Sequence, residues 1–255
     1  MTAPALFIGH GSPENAVLDN AFSRSLRLLG ERLPRPRAAL VVSAHWLSRG
    51  LFASSAAQPE QIFDFSGFPE ALYRVRYTPD NSPELLADMA ELALPWQPAP
   101  QRGFDHGVWT VLKHLWPDAD VPLVQLSLDI GRDRRGQLAV GAALKGLREK
   151  GYMLVGSGNV VHNLRALDWQ ARDDGFDWAK RFDLAVRDAV ERDDPASLVT
   201  PSPELATDAR LSIPTEEHYW PLLTVVGARR PEDRVEWVYE GYEYGGISLR
   251  SLLLS

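Results

Sequence analysis

Cysteine is missing from the 255 residues of this chain. Its absence excludes disulfide bonds, thiolate nucleophiles, and zinc or iron–sulfur sites ligated by cysteine. A metal ion in this protein would therefore have to be held by histidine, carboxylate or water ligands.

Long apolar runs are missing as well. No stretch approaches the ~18 consecutive apolar residues that a membrane-spanning helix needs. The N-terminus also lacks a basic segment followed by an apolar stretch, which would mark a secretory signal peptide. We therefore expect a cytoplasmic protein that makes no contact with membranes.

Positive charge is in the minority. The chain has 27 Lys and Arg residues against 34 Asp and Glu residues, which gives a net charge of −7 at pH 7. The basic residues form no long block, and this argues against a polyanion such as nucleic acid as a partner. Phosphate-binding glycine motifs and the G-x-S-x-G elbow of serine hydrolases are absent too, so nucleotide-dependent and serine-nucleophile chemistry lack support.

Short apolar segments alternate with helical patterns along most of the chain. Segments with the length and β-branched content of buried strands lie at 4–9, 38–44, 121–128 and 152–158. Apolar residues at helical spacing lie at 22–33, 83–92, 140–147 and 178–189. The tail, residues 235–254, predicts two antiparallel strands joined near Gly245.

Alternation of this kind predicts βαβ units around a parallel sheet. We predict a single α/β domain over residues 1–255, with a mixed, mostly parallel central sheet, flanking helices and antiparallel C-terminal strands. The proline-rich patch 95–103 and the segment 195–215 are interpreted as loops.

The histidines are few, but their placement is informative. His10 and His45 each end a predicted buried strand, and His162 follows another strand after one short turn. In open α/β sheets, ligands bind in the crevice beyond the carboxyl ends of the strands. Small neighbouring residues, glycine above all, let the backbone approach a bound ion or ligand closely. We therefore expect these imidazoles to lie near one another.

Two further histidines are candidates for the same site. His218 follows Glu216 and Glu217, and all three side chains offer metal-binding atoms. His106 begins another helical pattern and has Asp105 beside it as a possible orienting carboxylate. His114 lies in the middle of that helical pattern and is interpreted as structural.

The residues alone leave several chemistries open. Two histidines and a carboxylate with free coordination positions suit non-haem Fe(II) and O2 chemistry. Zinc with three protein ligands and one water would suit hydrolysis. Four histidines that closed a tetrahedron around zinc would be structural, as in a metal-binding or degenerate protein without catalytic activity.

A set of sequence blocks favours the first of these interpretations by resemblance. Together the blocks resemble the DOPA-type class III extradiol ring-cleaving dioxygenases, which are related to the catalytic subunit of protocatechuate 4,5-dioxygenase. They follow the family's order and cover nearly the whole chain: GHGSP (9–13), VVSAHW (41–46), IFDFSGFP (62–69), DHGVWTVLKHLWPDADVPLVQLSLD (105–129), GSGNVVHNL (156–164), EEHYWPLL (216–223) and GYEYGGISLRS (241–251).

The resemblance implies a single mononuclear divalent metal, Fe(II) for ring cleavage, with zinc as a competing occupant. His10 and His45 match the family's two histidine ligands, and His218 matches the third ligand position of this subgroup. Glu217 stays an alternative third ligand, because the wider class uses glutamate there. His162 matches a position used either as a further ligand or as an acid–base catalyst. His106 matches an accessory catalytic position in the same pocket.

The implied partners are a small catechol and O2, acted on by a monomer or a small homo-oligomer. The proposed base is His162, with His106 as its helper. Phe63, Phe65 and Phe68 are candidates for an aromatic wall, as are Tyr219 and Trp220. Two departures from the family pattern, Gly9 and the segment 77–81, leave the identity of the substrate open. The competing function is a zinc-dependent hydrolase that uses the same histidines.

Overall fold

The computed structural model describes residues 2–171 and 173–255. The strands are β1 (Ala5–Gly9), β2 (Ala38–Ser48), β3 (Leu51–Ser54), β4 (Trp96–Ala99), β5 (Leu123–Asp129), β6 (Tyr152–Gly158), β7 (Val235–Tyr239), β8 (Tyr242–Glu243), β9 (Ile247–Ser248) and β10 (Ser251–Leu254). The α-helices are α1 (Ala21–Arg32), α2 (Glu70–Tyr73), α3 (Pro83–Ala90), α4 (His106–Leu115), α5 (Arg134–Glu149), α6 (Asp177–Glu191), α7 (Pro195–Val199), α8 (Ala206–Ser212) and α9 (Trp220–Gly227).

A mixed central sheet organises the molecule. Its strand order is β4-β3-β5-β2-β6-β1-β10-β7. The four inner strands β5, β2, β6 and β1 are parallel. Beyond β1, the strands β10 and β7 run antiparallel, while β3 pairs antiparallel with β5 at the other side. The predicted α/β class, with a mostly parallel sheet and antiparallel C-terminal strands, is confirmed.

Helices cover both faces of this sheet because the strand residues are apolar on both sides. Along β1, Phe7 belongs to the core beneath α5, α6 and α9, while Leu6 and Ile8 belong to the core beneath α1 and α4. Each helix contributes one apolar stripe: Leu26 of α1 and Leu144 of α5 are 0% and 1% exposed. The sheet is thus buried on both faces. The edge formed by the carboxyl ends of its strands is not covered in this way and is where a site can form.

Local signals in the sequence set several helix ends. Asn20 caps α1 by accepting a hydrogen bond from the backbone of Ser23, and Ser82 caps α3 ahead of Pro83 in the same way. Helix α5 ends at Glu149, and Gly151 follows with a φ of 88°. With 16 residues, α5 is the longest helix in the described part of the chain, and no helix there has the length and apolarity needed to cross a membrane.

Two segments interpreted as loops contain regular structure. The patch 95–103 includes β4, which pairs with β3 at the edge of the sheet. The segment 195–215 includes α7 and α8, and a proline occupies the start of α7. In the tail, the predicted antiparallel pair is β7 with β10, and the short hairpin of β8 and β9 lies between them with Gly245 at a φ of 76°.

Candidate metal centre

The histidines predicted from the sequence meet in one cavity of about 260 Å³ at the carboxyl edge of the parallel strands. His10 directly follows β1, and His162 lies a short turn after β6. His106 is the first residue of α4, and His218 lies in the turn before α9. The fifth member is His45, which lies within β2. All five therefore line the same space, although the chain brings them from distant positions.

An irregularity in the sheet places His45. The pairing of β2 with β5 shifts register between Val42 and Leu47, so His45 lies on a bulged stretch of the strand. Bulges of this kind change the direction in which a side chain points. The His45 Nε2 atom lies 3.3 Å from His10 Nε2.

The tautomer of His10 follows from its neighbours. Its Nδ1 atom lies 3.0 Å from the hydroxyl of Ser157. That hydroxyl donates its own proton to the carbonyl of Gly107 at 2.5 Å, so it can only accept from His10. His10 therefore carries its proton on Nδ1 and presents the lone pair of Nε2 to the cavity. This is the arrangement of a histidine that is ready to ligate a metal.

Three histidines are close enough to share one ion. One ligand atom each from His10, His45 and His106 lies within 4.8 Å of the others. The ring centroids of His45 and His106 are 3.8 Å apart. A neutral-imidazole set of this kind suits zinc, iron, copper and nickel. The described residues can thus hold a single metal ion.

Asp64, not Asp105, orients His106. The His106 ring donates from Nδ1 to Asp64 Oδ1 at 2.9 Å, and the His106 backbone N–H donates to the same oxygen at 3.0 Å. Burial alone would raise the pKa of Asp64, but these hydrogen bonds from His106 outweigh it and lower the pKa to about 2. Asp64 is therefore a charged acceptor that fixes the tautomer of His106.

The predicted role of Asp105 is wrong. Its carboxylate is fully buried and accepts hydrogen bonds from Ser43 and Arg102, each at 2.7 Å, and from Gln125. Asp105 joins β2, β5 and the start of α4 beneath the site. The sequence did contain a signal for Asp64, because it is the acidic residue inside the aromatic block IFDFSGFP.

His218 and His162 form a second pair in the cavity. Their rings stack with centroids 3.5 Å apart and planes 9° apart. The His218 ring lies 5.3 Å from that of His10 and 5.0 Å from that of His45. Its Nδ1 atom is 3.2 Å from Glu217 Oε1, which also accepts from the hydroxyl of Thr215.

The other ring nitrogen of His218 is left unsatisfied. Its Nε2 atom is buried and finds no hydrogen-bond partner among the described residues. Leaving a buried polar atom unsatisfied costs about 1–3 kcal/mol. A metal ion bound between His218, His10 and His45 would supply the missing partner, so the donor set fits such an ion.

Burial favours the uncharged form of four of these imidazoles. Burial, reinforced by repulsion from the neighbouring imidazoles, lowers the pKa of His10 and of His218 well below 6.5. The same causes lower the pKa of His45 and of His162 to about 4. Neutral imidazole is the form that binds metals and accepts protons, so both roles are available at neutral pH.

A glycine brings the His218 turn against the sheet. A Cβ atom on Gly158, the last residue of β6, would lie 2.2 Å from the carbonyl oxygen of His218. The same carbonyl accepts a 2.8 Å hydrogen bond from the backbone of Asn159. The small residue at Gly158 thus lets the backbone of the His218 turn approach the strand closely, while the expected close approach to a bound ion or ligand stays a prediction.

The apolar wall differs from the expected one. Of the phenylalanines singled out, only Phe68 lines the cavity, while Phe65 packs against His106 with ring centroids 5.4 Å apart. Phe63 packs against Trp109 instead. Tyr219 and Trp220 are core residues, 1% and 8% exposed. Sequence reasoning missed the other wall residues, which lie in irregular backbone or in the short strand β9 and show no periodic signal: Leu164, Leu167, Trp169, Tyr244 and Ile247.

An open α/β sheet that gathers histidines at its carboxyl edge has the donor set of a metal-dependent enzyme without haem. The chain belongs, more narrowly, to the family of the catalytic LigB subunit of aromatic ring-opening dioxygenase, which matches residues 4–253. The resemblance inferred from the sequence blocks is confirmed.

Individual relatives agree with this family. The 4,5-DOPA dioxygenase extradiol of Escherichia coli K12 is 42% identical over 98% of this chain and 93% of its own length. The 4,5-DOPA dioxygenase extradiol of Portulaca grandiflora is 32% identical over 97% of this chain and 94% of its own. A crystal structure of an uncharacterised protein from Escherichia coli K12 superposes with a TM-score of 0.85 at 38% identity, over 99% of this chain and 100% of that one.

These findings establish the reaction class. The protein is an extradiol aromatic ring-opening dioxygenase, and the alternative of a zinc-dependent hydrolase is not favoured.

Proposed function

We propose that this enzyme opens the ring of a DOPA-like catechol beside its hydroxyl groups, using one Fe(II) ion held by His10, His45 and His218. The observation that carries the ligand assignment is the buried, unpartnered Nε2 of His218 next to the facing Nε2 atoms of His10 and His45. The substrate class is taken from the relatives, whose names specify 4,5-DOPA.

His106 competes with His218 for the third ligand position, because one of its ring nitrogens lies within 4.8 Å of a ligand atom of His10 and of His45. Two features support His218. Its Nε2 is buried without a partner, and its Nδ1 already faces the carboxylate of Glu217, as metal-bound histidines usually do. Glu217 therefore orients the ligand His218 and does not itself bind the metal.

The remaining histidines handle protons. When bound, a ferrous ion supplies the Lewis acidity and redox chemistry that couple a catechol to O2. His162 is the proposed base for a catechol hydroxyl, since burial keeps it neutral and its backbone is anchored to the carbonyl of Ser212 at 2.9 Å. His106, held by Asp64, is the proposed second proton-handling group on the other side of the cavity.

Alanine variants separate ligands from bases. The protein is reconstituted with Fe(II) without oxygen, and metal content, oxygen uptake and the yellow ring-fission product are then measured with catechols. We expect His10→Ala and His218→Ala to lose the metal. His162→Ala should keep it while turnover falls roughly 10²–10⁴-fold, the usual worth of acid–base catalysis.

The matched pair for the third ligand is His218→Ala and His106→Ala. Retention of metal by His218→Ala together with its loss from His106→Ala would refute the ligand assignment. Normal turnover by His162→Ala would refute its role as the base. The cytoplasmic location and the monomeric or small homo-oligomeric state remain predictions from the sequence.

A further inference from the structure

We propose that Glu14 binds the ammonium group of catechols that carry an amine on their side chain, and so selects them over neutral and acidic catechols. This inference rests on the proposed function, because it assigns the far end of the same substrate. It concerns a residue to which neither the family nor the site geometry above gives a task.

Glu14 lies at the cavity on a short, well-anchored loop. It belongs to the 3-10 helix Pro13–Ala16, which begins three residues after His10 and is capped by Ser12. Glu14 is half-buried and lines the same cavity as the histidines. A ligand with its hydroxyl groups at the histidines therefore occupies a cavity that Glu14 also borders.

Hydrogen bonds hold the loop that contains Glu14 in place beside the cavity. Glu243 accepts hydrogen bonds from the backbone of Ser12 at 2.7 Å and from the side chain of Asn15 at 2.8 Å. Asn15 also donates to the carbonyl of His10 at 3.3 Å. Residues on both sides of Glu14 are thus tied to one buried carboxylate, and the position of Glu14 is fixed relative to His10.

The Glu14 carboxylate makes no hydrogen bond or ion pair with the described residues, unlike the other acidic groups around the site. Asp64 is bonded to His106, Glu217 to Thr215 and His218, and Glu243 to Ser12 and Asn15. The described residues that line the cavity include no lysine or arginine that could pair with it, so Glu14 offers a carboxylate with free acceptor positions.

A carboxylate with free acceptor positions suits a ligand group that is a cationic hydrogen-bond donor. An ammonium donates charge-assisted hydrogen bonds to a carboxylate, and these are stronger than hydrogen bonds between neutral groups. Leu164, Leu167 and Trp169 line the same cavity and would cover the aromatic ring and its aliphatic linker. A substrate bound in this way has its diol at the histidines and its amine at Glu14.

The test compares binding of two ligands that differ in the amine. Zinc-loaded protein is titrated by calorimetry with 2-(3,4-dihydroxyphenyl)ethylamine and with 4-ethylcatechol, and the ratio of the two Kd values is recorded. We expect the wild type to prefer the amine, and Glu14→Gln to reduce that preference roughly ten-fold. Glu14→Asp keeps the charge and should retain most of the preference.

Two controls make the result specific. Glu31→Gln removes an equal charge from the exposed end of α1, away from the cavity, and should preserve the Kd ratio. The melting temperature of Glu14→Gln should match that of the wild type, since no intramolecular partner is lost. The ferrous enzymes are also assayed for oxygen uptake, where the ratio of kcat/KM for the two catechols should shift in parallel.

The inference is overturned if the wild type shows no preference for the amine or binds neither catechol. It is also overturned if Glu14→Gln keeps the wild-type ratio, or if Glu31→Gln lowers it equally. Failure of the ferrous wild type to consume oxygen with any catechol overturns the proposed function instead, and the calorimetric ratio still decides the role of Glu14.

Discussion

His114 is a histidine that the fold uses for structure. It is 5% exposed in α4 and donates from Nε2 to the carbonyl of Asn15 at 2.8 Å. Burial lowers the pKa of His114 to about 4. The imidazole is therefore neutral in the folded protein over the whole range in which an unfolded histidine, with a pKa of about 6.5, takes up a proton.

This difference predicts a pH-dependent stability. Because the unfolded chain binds the proton more tightly, the free energy of unfolding falls as the pH drops from about 6.5 towards 4. We expect His114→Gln, which can still donate to Asn15, to remove on the order of 1–2 kcal/mol of that fall. Urea unfolding of the metal-free variant and wild type at pH 7 and pH 4.5 measures it. Equal losses in both proteins would contradict the prediction.

The histidines also show which single residues of the candidate site can be predicted from the sequence. His10, His45, His106, His162 and His218 were found because strand ends and sequence blocks mark them. The partner of His106 was not, because Asp105 is adjacent in sequence whereas Asp64 is adjacent in space. Orienting contacts are made through space, and a linear pattern records them only by chance.

Among the structural elements, the packing of β6 against the turn before α9 determines the position of His218 in the site. A Cβ atom added to Gly156 would lie 2.6 Å from the carbonyl oxygen of Pro221, so α9 rests directly on the strand backbone. A Cβ at Gly158 would meet the carbonyl oxygen of His218 at 2.2 Å. Backbone atoms cannot rotate aside as a side-chain tip can, and the His218 turn would have to move.

We therefore expect Gly158→Ala to weaken metal binding and to lower the free energy of unfolding by about 1–3 kcal/mol. Gly146→Ala is the matched control. Gly146 lies in α5, and a Cβ atom added to it would meet nothing within 4 Å beyond its own helix, so alanine there should raise stability by about 0.5–1 kcal/mol. Metal titrations and chemical unfolding of both variants test this, and full metal affinity in Gly158→Ala would refute it.

Strong periodicity made the long elements predictable. The stripes of α1, α5 and α6 and the apolar runs of the inner strands were all recognised. The strand β4 was missed because it is short, contains Pro98 and lies at the sheet edge, where proline is tolerated. The helix α7 was missed because Pro195 resembles a loop signal, although proline is favoured in the first turn of a helix.

Across the whole molecule, Arg148 connects parts of the chain that are far apart in sequence. Its guanidinium is 1% exposed and donates to the carbonyls of Ala3, Ala228 and Leu254. It also forms a two-pronged ion pair with Asp233, with N–O distances of 2.6 and 2.7 Å. One side chain of α5 thus connects the segment before β1, the end of α9 and the last strand.

Arg148→Met should therefore destabilise the whole fold. It removes the guanidinium that pairs with Asp233 and donates to the three carbonyls, and breaking a buried ion pair in this way costs about 3–5 kcal/mol. The exposed pair of Arg74 with Glu70 provides the comparison, because Arg74→Ala should change stability by no more than about 0.5 kcal/mol. Thermal and urea unfolding measure both, and a loss below about 1 kcal/mol in Arg148→Met would contradict the role assigned to it.

At this scale the sequence predicted the fold class and the family, since the recognisable blocks run through the chain in order. It contained no indication of Arg148, because a buried arginine in a helix resembles the many arginines on helix surfaces. Its importance depends on backbone carbonyls brought together from three distant segments, which only the folded chain reveals.

The metal centre draws its imidazoles from residues 10 to 218, so almost the entire chain must be in place before they meet. An unfolded chain presents these groups to an ion one at a time, whereas the native state presents them assembled. Any ion bound here adds RT ln(1 + [ion]/Kd) to the native state by mass action. We therefore expect the melting temperature of this enzyme to rise with the concentration of the ion. When the ion is scarce, the protein loses stability as well as activity.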